Sequence, residues 1–177
     1  MVLGIGAALG APLLSIAKLN SFGILVHGPG KSGKSTMLLG AASVIGCGEE
    51  QDLANFRTTD PAFGELPVAF NDSLLPLNEL GLLKGSAVER YQRLRDLTYG
   101  FAEGRGKTYS KWAPIDKASS GTKWHGIAFA TGEEASDQIA SSAGEIRMAG
   151  ESIRWIDLAA TRNGASDIFD HIPKDVP

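Results

Sequence analysis

The chain has 177 residues and a mass of 18.6 kDa, a length typical of one compact domain and short for two. Its 20 acidic and 17 basic side chains give a formal charge of −3, which excludes a generally basic protein that coats nucleic acid but not a local basic groove. Cys47 is the sole cysteine, so internal disulfides and cysteine zinc clusters are excluded, and we expect a cytoplasmic protein.

The first predicted element is an apolar helix over residues 3–18. The stretch Val2–Ala17 has no charged side chain, but Pro12 and several glycines interrupt it. It is also shorter than the roughly 20 apolar residues that a membrane span needs. We therefore expect a buried helix and no membrane segment. A chain that begins inside such an apolar element further suggests a fragment of a longer protein.

Short apolar runs alternate with helical patterns along the rest of the chain. The pattern predicts strands at residues 23–26, 56–58, 74–77, 127–130 and 153–158, and helices at 34–45, 61–70 and 86–101. Such alternation is typical of βαβ units. We therefore expect a three-layer α/β fold with a mainly parallel central sheet.

A glycine-rich segment lies between the first predicted strand and the helix at 34–45. It reads Gly28-Pro29-Gly30-Lys31-Ser32-Gly33-Lys34-Ser35 and fits the phosphate-loop pattern GxxxxGK[ST]. Glycines let backbone N–H groups turn toward phosphate, and the helix N-terminus adds its positive dipole end. We expect this loop and Thr36 to bind ATP, with Lys34 on the β- and γ-phosphates and Ser35 on Mg²⁺. The alternative is a chance turn in a chain with 22 glycines.

A second candidate site follows the predicted strand at 74–77. Glu79 stands where a glutamate base polarises the attacking water, and Asn78 stands where an aspartate normally holds the water shell of Mg²⁺. An amide accepts a hydrogen bond from metal-bound water but supplies no negative charge. Two functions therefore remain open: nucleotide hydrolysis, and nucleotide binding with weak or no hydrolysis. A core strand followed by a surface glutamate is the structural alternative, and Pro76 is unusual in a central strand.

Basic and aromatic side chains are concentrated between residues 105 and 125. The candidates for nucleic-acid contact are Lys107, Lys111, Trp112, Lys117 and Lys123, accompanied by Arg105, Tyr109 and Trp124. Positive charge with stacking platforms is what single-stranded nucleic acid binding requires. The alternative is a solvated loop whose tryptophans pack into the core.

These motifs resemble a P-loop family named domain of unknown function 927, which occurs in phage, plasmid and genomic-island proteins and is described as helicase-like. The resemblance rests on five segments in order: Ala11–Leu14, Phe70–Gly81, Tyr99–Lys107, Ala130–Glu133 and Arg147–Asp157. Asn78 and Pro76 depart from the family pattern, where an aspartate and an aliphatic residue are found. These departures bear on catalysis more than on membership.

The resemblance implies that residues 1–177 are one RecA/AAA-like P-loop ATPase core. It implies a homo-oligomer, a hexameric ring, that moves on DNA in mobile-element or phage replication, with a primase module as a further partner. Thr131 would then be a polar sensor near the γ-phosphate. An arginine of the neighbouring subunit would complete the site, and Arg147 is slightly preferred to Arg154. Either arginine is otherwise a surface side chain.

Overall fold

The computed structural model describes residues 1–56, 60–106 and 122–161. Within these ranges five strands form one parallel sheet in the order β2-β3-β4-β1-β5. The strands are β1 Phe22–His27, β2 Ala54–Asn55, β3 Ser73–Asn78, β4 Gly126–Gly132 and β5 Trp155–Ala159. The helices in the same ranges are α1 Val2–Gly10, α2 Leu13–Ala17, α3 Lys34–Ser43, α4 Asp60–Ala69, α5 Ala87–Glu103, α6 Ser136–Ser142 and α7 Ala149–Ser152.

Two hydrophobic cores lie on opposite faces of the sheet, because alternate residues of a strand point to opposite sides. On the face that α1 and α3 cover, here called the α3 face, the core contains Val26, Leu74 and Phe129. On the face that α5 and α6 cover, the α5 face, it contains Leu77 and Ala130. The predicted three-layer α/β fold of P-loop type with a parallel sheet is confirmed.

The apolar N-terminal segment differs from the single buried helix predicted over 3–18. It forms two helices with a break before α2, because Pro12 lacks the N–H that helix continuation needs. The buried residues of α1 are small, and the side chain of Val2 is 87% exposed. The expectation of a buried helix is therefore wrong for the large apolar side chains of α1. Within the described ranges, no helix is long and apolar enough to cross a membrane.

The short strand β2 explains how β3 accommodates a proline. β2 pairs only with Leu77 and Asn78, so Pro76 lies where β3 has β4 as its partner but not β2. A proline cannot donate to a ladder and is tolerated where pairing is incomplete. The strand predicted at 56–58 is placed too late, since β2 ends at Asn55 and residues 57–59 lie outside the described chain.

The predicted helix at 86–101 is α5, and a capping box sets its start. The Ser86 hydroxyl accepts from the Glu89 N–H, and the Glu89 carboxylate accepts from the Ser86 N–H at 2.7 Å. That hydrogen bond from the Ser86 backbone holds the pKa of Glu89 below its usual value. Val88, Tyr91 and Leu94 share one face of the helix at helical spacing; Tyr91 and Leu94 are buried there, whereas Val88 is exposed.

Gly23 allows β1 and β5 to pack closely, and alanine at this position is expected to destabilise the protein. A Cβ on Gly23 would lie 1.9 Å from Cε3 of Trp155, a ring that is 1% exposed. We expect Gly23→Ala to lower the free energy of unfolding in urea by about 3 kcal/mol. Gly6→Ala is the matched control, because a Cβ there meets no atom within 4 Å. Equal stability of the two variants would contradict this packing.

Candidate functional site

The turn between β1 and α3 contains the predicted phosphate loop. β1 lies between β4 and β5, ends at His27, and is followed by α3 at Lys34. Gly33 is the N-cap of α3 with a φ of 87°, a left-handed conformation that favours glycine. The loop lies at the carboxyl edge of the sheet, where the chain leaves β1 and β4 toward opposite faces. Open α/β sheets bind ligands at such a position.

The backbone of this loop has N–H donors that meet no acceptor in the described ranges. Among the described residues, no acceptor bonds the backbone N–H groups from Gly30 to Thr36, and the first N–H of α3 with a partner is that of Met37. Backbone N–H groups in folded proteins are nearly always paired with protein or water. The first turn of α3 also contains no acidic side chain that would compete for these donors. The array therefore suits an anion, and phosphate in particular.

Lys34 places a buried positive charge beside this array. The residue is 7% exposed, and its ammonium donates to the carbonyl oxygens of Gly28 and Pro29 at 2.9 and 2.6 Å and to Ser32 Oγ at 3.3 Å. It forms no ion pair within the described part of the chain. A buried charge without a counter-charge is unfavourable, so the loop is matched to a ligand that supplies negative charge. A polyphosphate fits this donor set.

Thr131 joins the ends of β3 and β4 at the same edge. Its hydroxyl oxygen accepts from the Glu79 N–H at 3.1 Å, and its O–H donates to Asn78 Oδ1 at 2.9 Å. The alternation of strand residues puts Asn78 and Thr131 on the α3 face, from which α3 continues the phosphate loop. The structure thus brings three of the predicted site residues together: Thr131 is 53 positions from Asn78 and 52 from Glu79 in sequence.

Glu79 has an uncommon backbone conformation and faces a small polar cavity. Its φ and ψ are 61° and 82°, a sparsely populated region for a residue other than glycine. Its carboxylate accepts from the Gly81 N–H at 3.2 Å. The cavity has a volume of about 230 Å³ and is lined by Glu79, Arg90, Glu133 and Glu134, among others. It lies next to the phosphate loop, since a Cβ on Gly30 would be 3.4 Å from the Glu133 carboxylate.

Arg90 is a residue of this cavity that the sequence did not single out. Its guanidinium donates to the Glu134 carboxylate at 2.7 Å, and its buried Nε has no partner in the described chain. The helical spacing places Arg90 off the apolar face of α5 but does not indicate which element faces it. Its partner is 44 residues away, so no local pattern identifies the contact.

The residues at this edge fit the magnesium site of a P-loop protein only in part. Ser35 is exposed, and its hydroxyl has no partner among the described residues, so it is free to ligate a cation. Asn78 is neutral, and Thr131 already bonds its carbonyl oxygen. In the part of the chain that the structure describes, no group of three or more His, Cys, Asp or Glu could hold a metal ion. Thr131 uses one of the two lone pairs of this oxygen, and the role of Asn78 on a metal-bound water stays a prediction.

Both arginines predicted to act on a neighbouring subunit have partners in their own chain. Arg147 donates to the Asp157 carboxylate and the Trp155 carbonyl, and its side chain is 6% exposed. Burial raises the pKa of Asp157, although Ser136 and Arg147 oppose the shift. Arg154 donates to the Gly150 carbonyl at 2.7 Å and lies 5.2 Å from the centre of the Tyr99 ring. The bonds of Arg147 hold β5 within its own chain, and the role of either arginine on a neighbouring subunit stays a prediction.

Most of the predicted nucleic-acid segment lies outside the described residues. Lys107, Lys111, Trp112 and Lys117 are among residues 107–121, whereas Lys123 is described, exposed and paired in antiparallel fashion with Arg105. Trp124 is 4% exposed in the core of the α5 face and donates to the Phe101 carbonyl at 3.0 Å. Trp124 is therefore a core residue and not a stacking platform. The described ends of this segment lie at the amino edge of the sheet, opposite the phosphate loop.

Comparisons with known proteins give one family and one fold. A family model described as "Domain of unknown function (DUF927)" matches residues 1–120. No curated protein sequence matches the chain. A solved structure described as "SCCmec type IV Cch - active helicase" is similar to 89% of this chain with a TM-score of 0.58 and 17% sequence identity. The chain spans 28% of the length of that structure, and at this identity the likeness shows the fold alone.

The buried contacts of Arg147 predict that its loss destabilises the protein. We expect Arg147→Met to lower the free energy of unfolding by about 3 kcal/mol, because the Asp157 carboxylate would stay buried without its counter-charge. Arg154→Met removes a cation over an aromatic ring, and we expect a decrease of about 1 kcal/mol. Urea unfolding of the two variants checks this order. Full stability of Arg147→Met would show that the side chain is free for another role.

Proposed function

The chain belongs to the DUF927 family, as its motifs predicted, and we propose that it is the ATP-binding core of a helicase-like ATPase. The observation that carries this proposal is the loop whose N–H groups from Gly30 to Thr36 have no acceptor in the described chain, with the buried ammonium of Lys34 beside it. No protein group neutralises that charge among the described residues, and the triphosphate of a nucleotide supplies the opposite charge in the right form.

The residues around the loop have separate roles in this proposal. The N–H groups bind the phosphates, and Lys34 exchanges its carbonyl partners for oxygens of the β- and γ-phosphates. Glu79 accepts a proton from the water that attacks the γ-phosphate. Thr131 holds the Glu79 N–H and so fixes where this residue leaves β3. Mg²⁺ would add charge neutralisation at the Ser35 hydroxyl when it is bound.

The proposed ATPase also acts on nucleic acid. This action is supported by the fold shared with a structure described as an active helicase and by the basic segment between Arg105 and Lys123. Arg105 and Lys123, the described ends of that segment, lie at the edge of the sheet opposite the phosphate loop, and we propose that these two side chains contact single-stranded DNA there. The hexameric ring, the primase partner and the phage or mobile-element context stay predictions, as does the place of residues 1–177 in a longer protein.

A second candidate function is a nucleotide-binding module that controls assembly and turns over slowly or not at all. Asn78 favours it, because the position that normally supplies a negative charge is neutral. The conformation of Glu79 also favours it, since the carboxylate is bonded to the Gly81 N–H of its own loop. The two candidates share the nucleotide site and differ in hydrolysis.

Steady-state hydrolysis of ATP, with and without single-stranded DNA, distinguishes the two candidates. We expect turnover that DNA increases. In Lys34→Ala we expect the turnover rate to fall about a hundredfold, because the variant lacks the ammonium that stabilises charge on the transferred phosphate. Lys18→Ala is the control, since Lys18 is an exposed lysine at the end of α2, and it should hydrolyse ATP like the wild type. Wild-type turnover no faster than that of Lys34→Ala would overturn the ATPase and leave the binding module.

A further inference from the structure

The hydrogen bonds around Thr131 determine which way the Asn78 amide faces. Thr131 is 1% exposed, and its hydroxyl oxygen already accepts from the Glu79 N–H. Its single proton needs an acceptor, and among the described residues Asn78 Oδ1 at 2.9 Å is the one that it reaches. Turning the amide around would place an NH₂ group there and leave the buried hydroxyl proton unsatisfied. Asn78 therefore turns its oxygen to Thr131 and keeps its Nδ2 for other partners.

This orientation gives the nucleotide site a donor at a position where an aspartate would give an acceptor. An aspartate bonded to Thr131 through one oxygen presents its second oxygen, with negative charge, to the hydrogens of metal-bound water. Asn78 presents two N–H bonds instead, and they have no partner in the described chain. A donor cannot accept from metal-bound water, whereas it can bond a phosphate oxygen directly.

The charges of the loop also favour direct contact between the protein and phosphate over contact through a metal ion. Lys31 and Lys34 are both in the loop, neither forms an ion pair within the described residues, and α3 has no acid in its first turn. A neutral Asn78 leaves the site one unit more positive than an aspartate would. A polyphosphate therefore meets N–H donors and lysine ammonium groups at this site. In a site with an aspartate at this position, a metal ion normally neutralises the carboxylate.

We infer that this site binds the triphosphate of a nucleotide without requiring Mg²⁺, and that the Asn78 amide takes part as a hydrogen-bond donor to phosphate. The inference rests on the proposed nucleotide binding. It gives Asn78 a role in specificity: the side chain decides whether free or magnesium-bound nucleotide is preferred. Asn78→Asp keeps the acceptor for Thr131 and reverses this preference, because its carboxylate repels free triphosphate and attracts the magnesium complex.

Binding of the slowly hydrolysed analogue ATPγS, measured by calorimetry in excess Mg²⁺ and in EDTA, tests the inference without any need for turnover. For the wild type we expect dissociation constants within about threefold of each other in the two conditions. For Asn78→Asp we expect binding in EDTA to be weaker than in Mg²⁺ by about tenfold or more, from one added charge near phosphate. Asn20→Asp is the matched control, an exposed asparagine just before β1 and away from the loop, and it should behave like the wild type.

The possible outcomes separate this inference from the proposed function. Wild-type binding that weakens tenfold in EDTA overturns the inference alone and would mean that another carboxylate, such as Glu133 beside Gly30, completes a metal site. Equal magnesium dependence of Asn78→Asp and the wild type also overturns it. Wild-type binding no tighter than that of Lys34→Ala in both conditions overturns the proposed function and the inference together. The wild-type comparison holds even if Asn78→Asp fails to fold.

Discussion

The chemistry at the carboxyl edge of the sheet depends on the turn between β1 and α3, whose backbone donors meet no acceptor in the part of the chain that the structure describes. At most helix N-termini, a capping side chain accepts hydrogen bonds from some of the first N–H groups. Here the N-cap is Gly33, which has no side chain that could accept them. The buried ammonium of Lys34 bonds carbonyl and hydroxyl oxygens and has no acidic partner in the described chain. The fold thus concentrates positive potential at one loop.

The rest of the fold holds this loop in place and brings polar groups to it. β1 is supported by β4 and β5, and Gly23 lets the ring of Trp155 pack against it. Arg147 pairs with Asp157 of β5, and both side chains are largely buried, so this arginine has a structural task in its own chain. Thr131 links the ends of β3 and β4, and through this link Asn78 becomes a donor whose orientation the sequence alone does not reveal.

Local patterns predicted much of this fold because they depend on near neighbours. The glycine-lysine pattern located the loop, and alternating apolar runs located β3, β4 and α5 within a few residues. The sequence predicts a buried N-terminal helix because apolar content does not show which side chains are covered, and the buried residues of α1 are its small ones. The sequence does not single out Arg90 and leaves the roles of Trp124 and Arg147 open for a related reason: their contacts are with partners on other elements. Polarity of a residue does not identify its partner.

Amide hydrogen exchange with and without ATP is the sharpest test of whether the backbone donors of this loop bind nucleotide phosphate. Because the N–H groups from Gly30 to Thr36 have no acceptor among the described residues, bound phosphate should slow their exchange markedly. A peptide from α1, which lies outside the site, should exchange at the same rate in both conditions. Slower exchange confined to the loop and the ends of β3 and β4 is the predicted result. Unchanged exchange of the loop in the presence of bound ATP would mean that these N–H groups do not bind phosphate.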